Sequence, residues 1–282
     1  MAPLVATSAD TPGIDAPTPG RASASAPQSA KPSARLLALF NAGTPLKAFL
    51  AEALKHPEQG GAYYALHVLS HCRAMRTEES SRGESGGGTV ADSPVDGVRR
   101  AAIESRKRRC DGFVESEHSE ARDQHLLKSG LAGGDPLLKA SDAFSKARRG
   151  ADKNARVAAL RQVLDTGDPL LLDGLDAGWF LQHSDDLGLH FHFQGVDYAL
   201  RSDADMMHAF YLLPCGLGLV CDAHEEETEQ VCALTGTCHA SRFEDLKRQM
   251  IETPPGSYEK IVRLYEKMVV AAKAGDATAW TK

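Results

Sequence analysis

A short phrase of glycine, aspartate and proline recurs along this chain, and it constrains the fold more than any other feature. It reads LAGGDPLL at 131–138 and LDTGDPLL at 164–171, 33 residues later, with weaker copies at 41–48 (NAGTPLKA) and 272–279 (AKAGDATA). Glycine can close one helix in the left-handed conformation, aspartate can cap the next helix, and proline can occupy its first position, where no donor is lost. These helix boundaries are therefore predicted at Gly43, Thr44 and Pro45, at Gly134, Asp135 and Pro136, and at Gly167, Asp168 and Pro169.

Between these boundaries, apolar residues recur at the spacing of amphipathic helices. Leu46, Phe49 and Leu50 share one helical face, and so do Ile261, Tyr265 and Met268 near the end of the chain. A helix with a single apolar stripe has to bury it against a neighbour, and alanine at many stripe positions allows close approach. We expect a mostly α-helical fold in which antiparallel helix pairs form a solenoid-like or irregular bundle.

Composition suggests where the folded part lies. Residues 1–35 contain no aromatic residue and consist mainly of Ala, Pro, Ser, Thr, Gly and Asp, a composition that cannot form a packed core. We predict a disordered leader at 1–35 and a single helical domain at 36–282, with a disulfide-bearing C-terminal segment at 202–252. The polar, glycine-rich stretch at 77–97 is predicted to be a mobile insertion between helices.

The spacing of the cysteines favours disulfides over zinc. The last four follow the pattern C-x5-C-x10-C-x5-C, which lacks the C-x-x-C knuckle of structural zinc sites. A helix predicted at 222–234 would separate Cys221 from Cys232 by about 16 Å, whereas a disulfide needs Cα atoms within about 7 Å. The sequence therefore predicts two local pairs, Cys215–Cys221 and Cys232–Cys238. The two remaining cysteines form the third predicted pair, Cys72–Cys110.

Disulfides place a protein in an oxidising compartment. The first residues, MAPLVATSAD, have neither the basic region nor the apolar region of a signal peptide. We expect a periplasmic or secreted protein whose signal peptide has been removed, and the alternative is a cytoplasmic protein with reduced cysteines. No uncharged apolar run is long enough for a membrane span, and a net charge of −6 gives no general attraction to nucleic acid.

One stretch, 187–200, alternates with a period of two and predicts a β-hairpin. With Gln194 and Gly195 as a two-residue turn, His192 lies opposite Asp197 and His190 lies opposite Ala199. Two imidazoles and a carboxylate on one face can bind Zn²⁺ or Fe²⁺. The simpler interpretation is a solvated polar face above a buried aromatic face.

The remaining chemical signals are weak. A basic run is interpreted as the solvated face of a helix, and it comprises Arg99, Arg100, Arg106, Lys107, Arg108 and Arg109. The chain has no G-x-S-x-G, H-E-x-x-H or P-loop motif. No catalytic residue is therefore predicted, and no cofactor apart from the metal ion considered above.

The Gly-Asp helix starts, paired alanine-rich helices and 33-residue interval resemble the Sel-one-like and tetratricopeptide-type helical repeats. The segments CGLGLVC (215–221) and CALTGTC (232–238) also resemble the cysteine segment of a group of exported bacterial helical proteins. These resemblances imply a scaffold that binds a protein or peptide.

We therefore expect a non-enzymatic exported protein that presents a surface to a protein or cell-envelope partner. One alternative is a metal-binding protein or metal-dependent enzyme that uses His190, His192 and Asp197. Another alternative is a secreted effector, which the Ala-, Pro- and Ser-rich leader would suit.

Overall fold

Most of the described backbone is helical. The computed structural model describes residues 32–85, 94–150, 152–175, 180–200 and 203–281. The helices are α1 (Ala34–Asn41), α2 (Leu46–Ala53), α3 (Gly61–Ser85), α4 (Pro94–Arg109), α5 (Glu120–Gly133), α6 (Pro136–Arg149), α7 (Lys153–Thr166), α8 (Pro169–Asp173), α9 (Asp205–Leu217), α10 (Glu226–Thr235), α11 (Arg242–Gln249) and α12 (Ser257–Lys273). The strands β1 (Leu181–Ser184), β2 (Gly188–Phe193) and β3 (Val196–Ala199) form an antiparallel sheet in the order β1-β2-β3. The prediction of a mostly α-helical fold with one short hairpin is confirmed.

The first full copy of the repeated phrase separates α5 from α6 as predicted. Gly134 closes α5 with a left-handed φ of +87°. Asp135 caps α6 by accepting hydrogen bonds from the backbone N–H groups of Leu137 and Leu138, and Pro136 is the first helical residue. Three adjacent residues therefore end one helix and begin the next.

The second full copy separates α7 from α8 in the same way. Gly167 has a φ of +58°, the carboxylate of Asp168 accepts from the N–H of Leu171, and Pro169 starts α8. The weak copy at 272–279 also marks the start of a helix, since Asp276 caps a 3₁₀ helix at Ala277–Trp280. The helix boundaries predicted from these copies are confirmed.

The copy at 41–48 differs from the prediction in one respect. Gly43 has the expected positive φ of +69°, but Pro45 precedes the first residue of α2 instead of forming its first turn. Thr44 does not cap α2, because its hydroxyl donates to the carbonyl of Leu39 at 2.8 Å. Thr44 thus secures the end of α1, and its expected role in capping α2 is wrong.

Helical structure begins before residue 36 and extends into both ends of the stretch predicted as an insertion. Ser33 is buried and α1 begins at Ala34, so the helical domain starts before residue 36. The backbone of α3 is helical to Ser85, and α4 begins at Pro94. The predicted leader up to residue 31 and the centre of the insertion, 86–93, lie outside the described residues.

All three predicted disulfides are present. Cys72 pairs with Cys110, Cys215 with Cys221, and Cys232 with Cys238. The first joins α3 to the residue after α4, the second joins the end of α9 to Cys221 ahead of α10, and the third joins Cys232 in α10 to Cys238 beyond its end. Three disulfides indicate an oxidising compartment outside the cytoplasm.

The helix between the two C-terminal disulfides starts later than predicted. Glu225, rather than Asp222, caps α10 by accepting from the N–H groups of Glu227 and Thr228. Asp222 instead accepts from the N–H of His224 in the preceding turn, at 2.9 Å. A side chain that bonds within its own turn cannot reach the helix end, which explains the shift.

The helices pack with partners that are distant in the chain. α9 lies along α12 and α4 lies along α10, whereas α6 and α7 are consecutive. One large cluster of buried apolar side chains extends from Leu36 to Trp280. The described helices therefore form an irregular bundle, and none of them has both the length and the apolar character needed to cross a bilayer.

A buried ion network joins the C-terminal helices. Arg242 on α11 is 1% exposed, and its guanidinium donates to Glu225 at 2.8 and 3.0 Å and to Asp173 at 2.9 Å. It also donates to the carbonyl of Tyr211 at 2.9 Å. Burial opposes the charged form, but the two carboxylates outweigh that effect and raise the pKa of Arg242. One side chain thus ties α8, α9, α11 and the start of α10 together.

Candidate binding site

The hairpin brings the predicted histidine cluster together. His192 pairs with Asp197 and His190 with Ala199, as the two-residue turn predicts. The Nδ1 atom of His192 lies 2.7 Å from Asp197 Oδ1, and the Nε2 atom of His190 lies 3.9 Å from the same oxygen. The second ring nitrogen of His190, Nδ1, is 3.1 Å from the carbonyl of Gly188.

The burial of this cluster differs from the favoured prediction. His190 is 2% exposed and His192 is 9% exposed, so the polar face is not solvated. β2 is also the central strand of the sheet, because an unpredicted strand, β1, pairs with its other edge. Asp197 supplies the polar partner that buried imidazoles need.

The histidine cluster does not have the arrangement of a metal site. Within the described parts of the chain, no group of three or more His, Cys, Asp and Glu side chains is placed to hold a metal ion. Instead, the carboxylate of Asp197 is hydrogen-bonded to His192 of the same hairpin. The geometry therefore gives no support to metal binding by His190, His192 and Asp197.

The basic run on α4 is only partly solvated, which corrects its interpretation. Arg106 is 2% exposed and donates to Gln230 on α10 at 3.1 Å. Arg109 lies 3.5 Å from Glu229, and Ser105 donates to the same carboxylate at 2.7 Å. The acidic side of α10 covers part of this run, because opposite charges across a helix pair compensate for the loss of water.

A second contact of α10 pairs a carboxylate with two imidazoles of α3. Glu226 lies 3.4 Å from His67 and is hydrogen-bonded to His71. Burial would raise the pKa of Glu226, but the two histidines outweigh it and hold that pKa well below its usual value. Burial would lower the pKa of His67, whereas Glu226 raises it. This cluster holds two helices together and does not open into the cavity described next.

A cavity of about 200 Å³ lies between α6, α7, β1 and the C-terminal 3₁₀ helix. Phe144 and Arg148 are four residues apart on α6, and Lys153, Arg156 and Leu160 follow with helical spacing on α7, so each set lies on one helix face. The full lining is Phe144, Arg148, Lys153, Arg156, Leu160, Phe180, Leu181, Gln182, Trp280 and Thr281.

The floor of this cavity is aromatic. The ring of Phe180 lies 5.8 Å from that of Phe144 and 5.6 Å from that of Trp280. Behind them, Phe193 and Phe210 contact Trp280 at 4.9 and 6.3 Å. Tilted and edge-to-face arrangements of this kind are favourable for aromatic rings, so mutual ring contacts hold the residues of the floor in place.

The rim of the cavity is basic. Arg148, Lys153 and Arg156 line it and are exposed. Within the described residues, neither Lys153 nor Arg156 has a carboxylate at ion-pair distance. The site thus combines an apolar, ring-lined floor with three positive charges at its mouth.

The repeated phrase contributes directly to this site. Asp276, in the weak copy, caps the 3₁₀ helix that carries Trp280 by accepting from the N–H groups of Thr278 and Ala279. The carbonyl of Ala279 accepts from the N–H of Gln194 in the hairpin turn at 2.7 Å. Trp280 is therefore held between a helix cap and the sheet.

Sequence reasoning missed this cavity. Its basic residues belong to two helices separated by a turn, and Trp280 lies more than a hundred residues further along. The local signals were the spacing of Phe144 with Arg148 and of Arg156 with Leu160, which place a charge beside an apolar stripe. Nothing in the sequence shows that these two stripes meet at the same place.

Comparisons with known proteins give no guide to the site's ligand. No protein-family model matches the sequence, and no curated protein or solved structure matches it significantly.

Proposed function

We propose that this chain is a non-enzymatic exported binding protein that recognises a protein partner through its aromatic cavity. The partner inserts one aromatic or large aliphatic side chain, and an acidic group next to that anchor meets the basic rim. The observation that supports this proposal is the combination of a ring-sized apolar cavity with Arg148, Lys153 and Arg156 at its mouth.

The size of the cavity favours an anchor over a free ligand. Small-molecule sites usually have volumes of about 300–1,000 Å³, whereas this cavity holds about 200 Å³. A cavity of about 150 Å³ accepts a benzene molecule. One phenyl ring or leucine-sized side chain therefore fills the available space, and the rest of the partner lies outside.

The charge of the rim favours an acidic partner. The whole chain carries a net charge of −6, so the neighbouring cations Lys153 and Arg156 stand out against an acidic background. Exposed cations steer oppositely charged partners and penalise basic ones. The partner's acidic group is accordingly placed beside its apolar anchor.

The proposal includes export from the cytoplasm and a resemblance to helical-repeat proteins. The three disulfides support export to the periplasm or to the outside of the cell. The repeated Gly-Asp helix starts support the resemblance to Sel-one-like and tetratricopeptide-type proteins, whose repeats present surfaces to protein partners. Both are consistent with a binding role.

The simplest test replaces the partner's anchor with phenylpropionate, a phenyl ring that carries one carboxylate. At about 0.3 kcal/mol for each of about eleven non-hydrogen atoms, we expect a dissociation constant of a few millimolar. Phenylpropanol, which lacks the charge, should bind several-fold more weakly. Chemical-shift changes of the Trp280 indole and neighbouring amides during a titration measure both constants.

Variants locate the binding. We expect the double substitution Lys153→Gln and Arg156→Gln to remove about 1 kcal/mol of attraction and to weaken phenylpropionate binding roughly fivefold. Arg149→Gln, an exposed change that does not line the cavity, is the matched control and should have no effect. Equal affinities for phenylpropionate and phenylpropanol, or no binding of either, would contradict the proposed function.

A further inference from the structure

Among the residues that the structure describes, the strand that borders the cavity has one edge without a neighbouring strand. β1 is the first strand in the order β1-β2-β3, and its sheet partner is β2. No other described element packs extensively against β1. Exposed strand edges present N–H and C=O groups that can pair with another chain.

The hydrogen-bond register decides which groups of β1 point outwards. The N–H of Leu200 donates to the carbonyl of Leu189 at 3.0 Å, so Leu189 directs its backbone groups towards the β3 side. In an antiparallel pair, hydrogen-bonded and non-bonded residues alternate. The backbone groups of Phe191 and Phe193 therefore also point towards β3, whereas those of Gly188 and His190 point towards β1.

On β1, Ser184 lies opposite Gly188 and Gln182 lies opposite His190, so Ser184 and Gln182 bond to β2. The two remaining residues, Leu181 and His183, turn their N–H and C=O groups to the free edge. Within the described residues these outward groups have no hydrogen-bond partner. They form a short template for one more strand.

The free edge adjoins the aromatic cavity. Leu181 belongs to both, since it lines the cavity and directs its backbone groups outwards. We infer that the partner docks as an extended segment beside β1, with its apolar anchor in the cavity and its acidic group against Arg148, Lys153 and Arg156. In such strand addition, main-chain bonds give affinity and the pocket gives specificity.

Charge argues for an acidic partner segment rather than a second copy of this chain. Two copies joined edge to edge would bring the rim cations Lys153 and Arg156 of one copy close to those of the other, and like charges oppose association. An acidic extended segment meets the same cations with the opposite sign. This inference rests on the proposed function, because it uses the same cavity.

The test uses a blocked octapeptide rich in Thr and Val that contains one Phe and, two residues later, one Glu, so that both side chains lie on the same face of the added strand. We expect it to bind at least tenfold more tightly than phenylpropionate and to slow hydrogen exchange of the Leu181 and His183 amides at least tenfold. N-methylation of the alternate residues that face β1 should lower affinity at least tenfold. N-methylation of the intervening residues is the matched control and should have little effect.

A variant examines the same edge from the protein's side. His183→Pro removes an outward N–H and leaves the bonds between β1 and β2 in place, because proline is tolerated at strand edges. Peptide affinity should fall at least fivefold, while the phenylpropionate constant and the unfolding temperature stay unchanged.

The outcomes separate the two ideas. If phenylpropionate binds but both N-methylated peptides bind like the parent, strand addition is wrong and the cavity proposal stands. If phenylpropionate does not bind, the proposed function fails. A dimer that forms through β1 without peptide would also overturn the inference, since its edge would then belong to a second copy.

Discussion

At the scale of single residues, Asp135 shows how a predicted cap acquires a second role. Its Oδ1 atom accepts from the N–H groups of Leu137 and Leu138 at the start of α6. Its Oδ2 atom accepts from the N–H groups of Ala62 and Tyr63 at the start of α3, at 2.9 and 3.2 Å. One buried carboxylate therefore caps two helices. The sequence predicts the first cap, and only the packing of α3 creates the second.

Asp168, in the other full copy of the phrase, also reaches α3. Its Oδ1 atom caps α8, and its Oδ2 atom accepts from the hydroxyl of Tyr64 at 2.8 Å. Burial and the nearby Asp168 raise the pKa of Tyr64, so the tyrosine stays a neutral donor at all ordinary pH values. The two aspartates of the repeat thus fasten the same helix at neighbouring residues.

The double role of Asp135 predicts a large effect of its removal. Asp135→Ala should lower the free energy of unfolding by about 3 kcal/mol or more, because it removes two caps and leaves buried N–H groups without partners. Asp152→Ala is the matched control, since Asp152 caps only α7 and is exposed. Its expected loss is about 1 kcal/mol. Urea unfolding measures both, and equal losses would show that the contact with α3 contributes nothing.

At the scale of elements, the sheet shows what periodicity captures and what it omits. Alternation predicts β2, β3 and the turn between them, including the pairs His192–Asp197 and His190–Ala199. It does not reveal β1, whose four residues, LQHS, have no apolar alternation. β1 is a strand because it pairs with β2, and this pairing makes β2 the central strand of the sheet.

The hairpin turn gives a prediction at this scale. Gln194 has a φ of +48° and Gly195 a φ of +80°, the pattern of a type I′ turn, which favours Asn-Gly. Gln194→Asn should therefore stabilise the protein by about 0.5 kcal/mol, since asparagine adopts positive φ more readily. Gly195→Ala should destabilise it by about 1 kcal/mol. Thermal unfolding tests the opposite signs, and destabilisation by Gln194→Asn would contradict this view of the turn.

At the scale of the whole molecule, long-range contacts hold together helices that are far apart in the chain. The pairing of α4 with α10, the ion network of Arg242 and the aromatic contacts of Trp280 all join distant segments. The disulfide between Cys72 and Cys110 adds a covalent link between α3 and the end of α4. Stability therefore depends on closing large loops as well as on forming helices.

Loop size predicts how much each disulfide contributes. Cys72 and Cys110 are 38 residues apart, whereas Cys215 and Cys221 are 6 apart. In the chain-entropy account, the larger loop stabilises by about 4 kcal/mol and the smaller by about 2 kcal/mol. Replacing both cysteines of each pair by serine should lower the free energy of unfolding by these amounts. Urea unfolding under non-reducing conditions decides, and a larger loss from the shorter loop would contradict the entropy account.

The sequence by itself determined the local features of this protein. Helix boundaries at Gly134–Pro136 and Gly167–Pro169, the hairpin turn and the disulfide pairs follow from backbone geometry and short spacings, which act over a few residues. Only the tertiary structure decided that Asp135 caps α3, that His190 and His192 are buried, and that α6, α7, β1 and Trp280 enclose one cavity. These features depend on which surfaces pack together. The residues next to a position in the sequence do not determine which residues a hundred positions away will contact it.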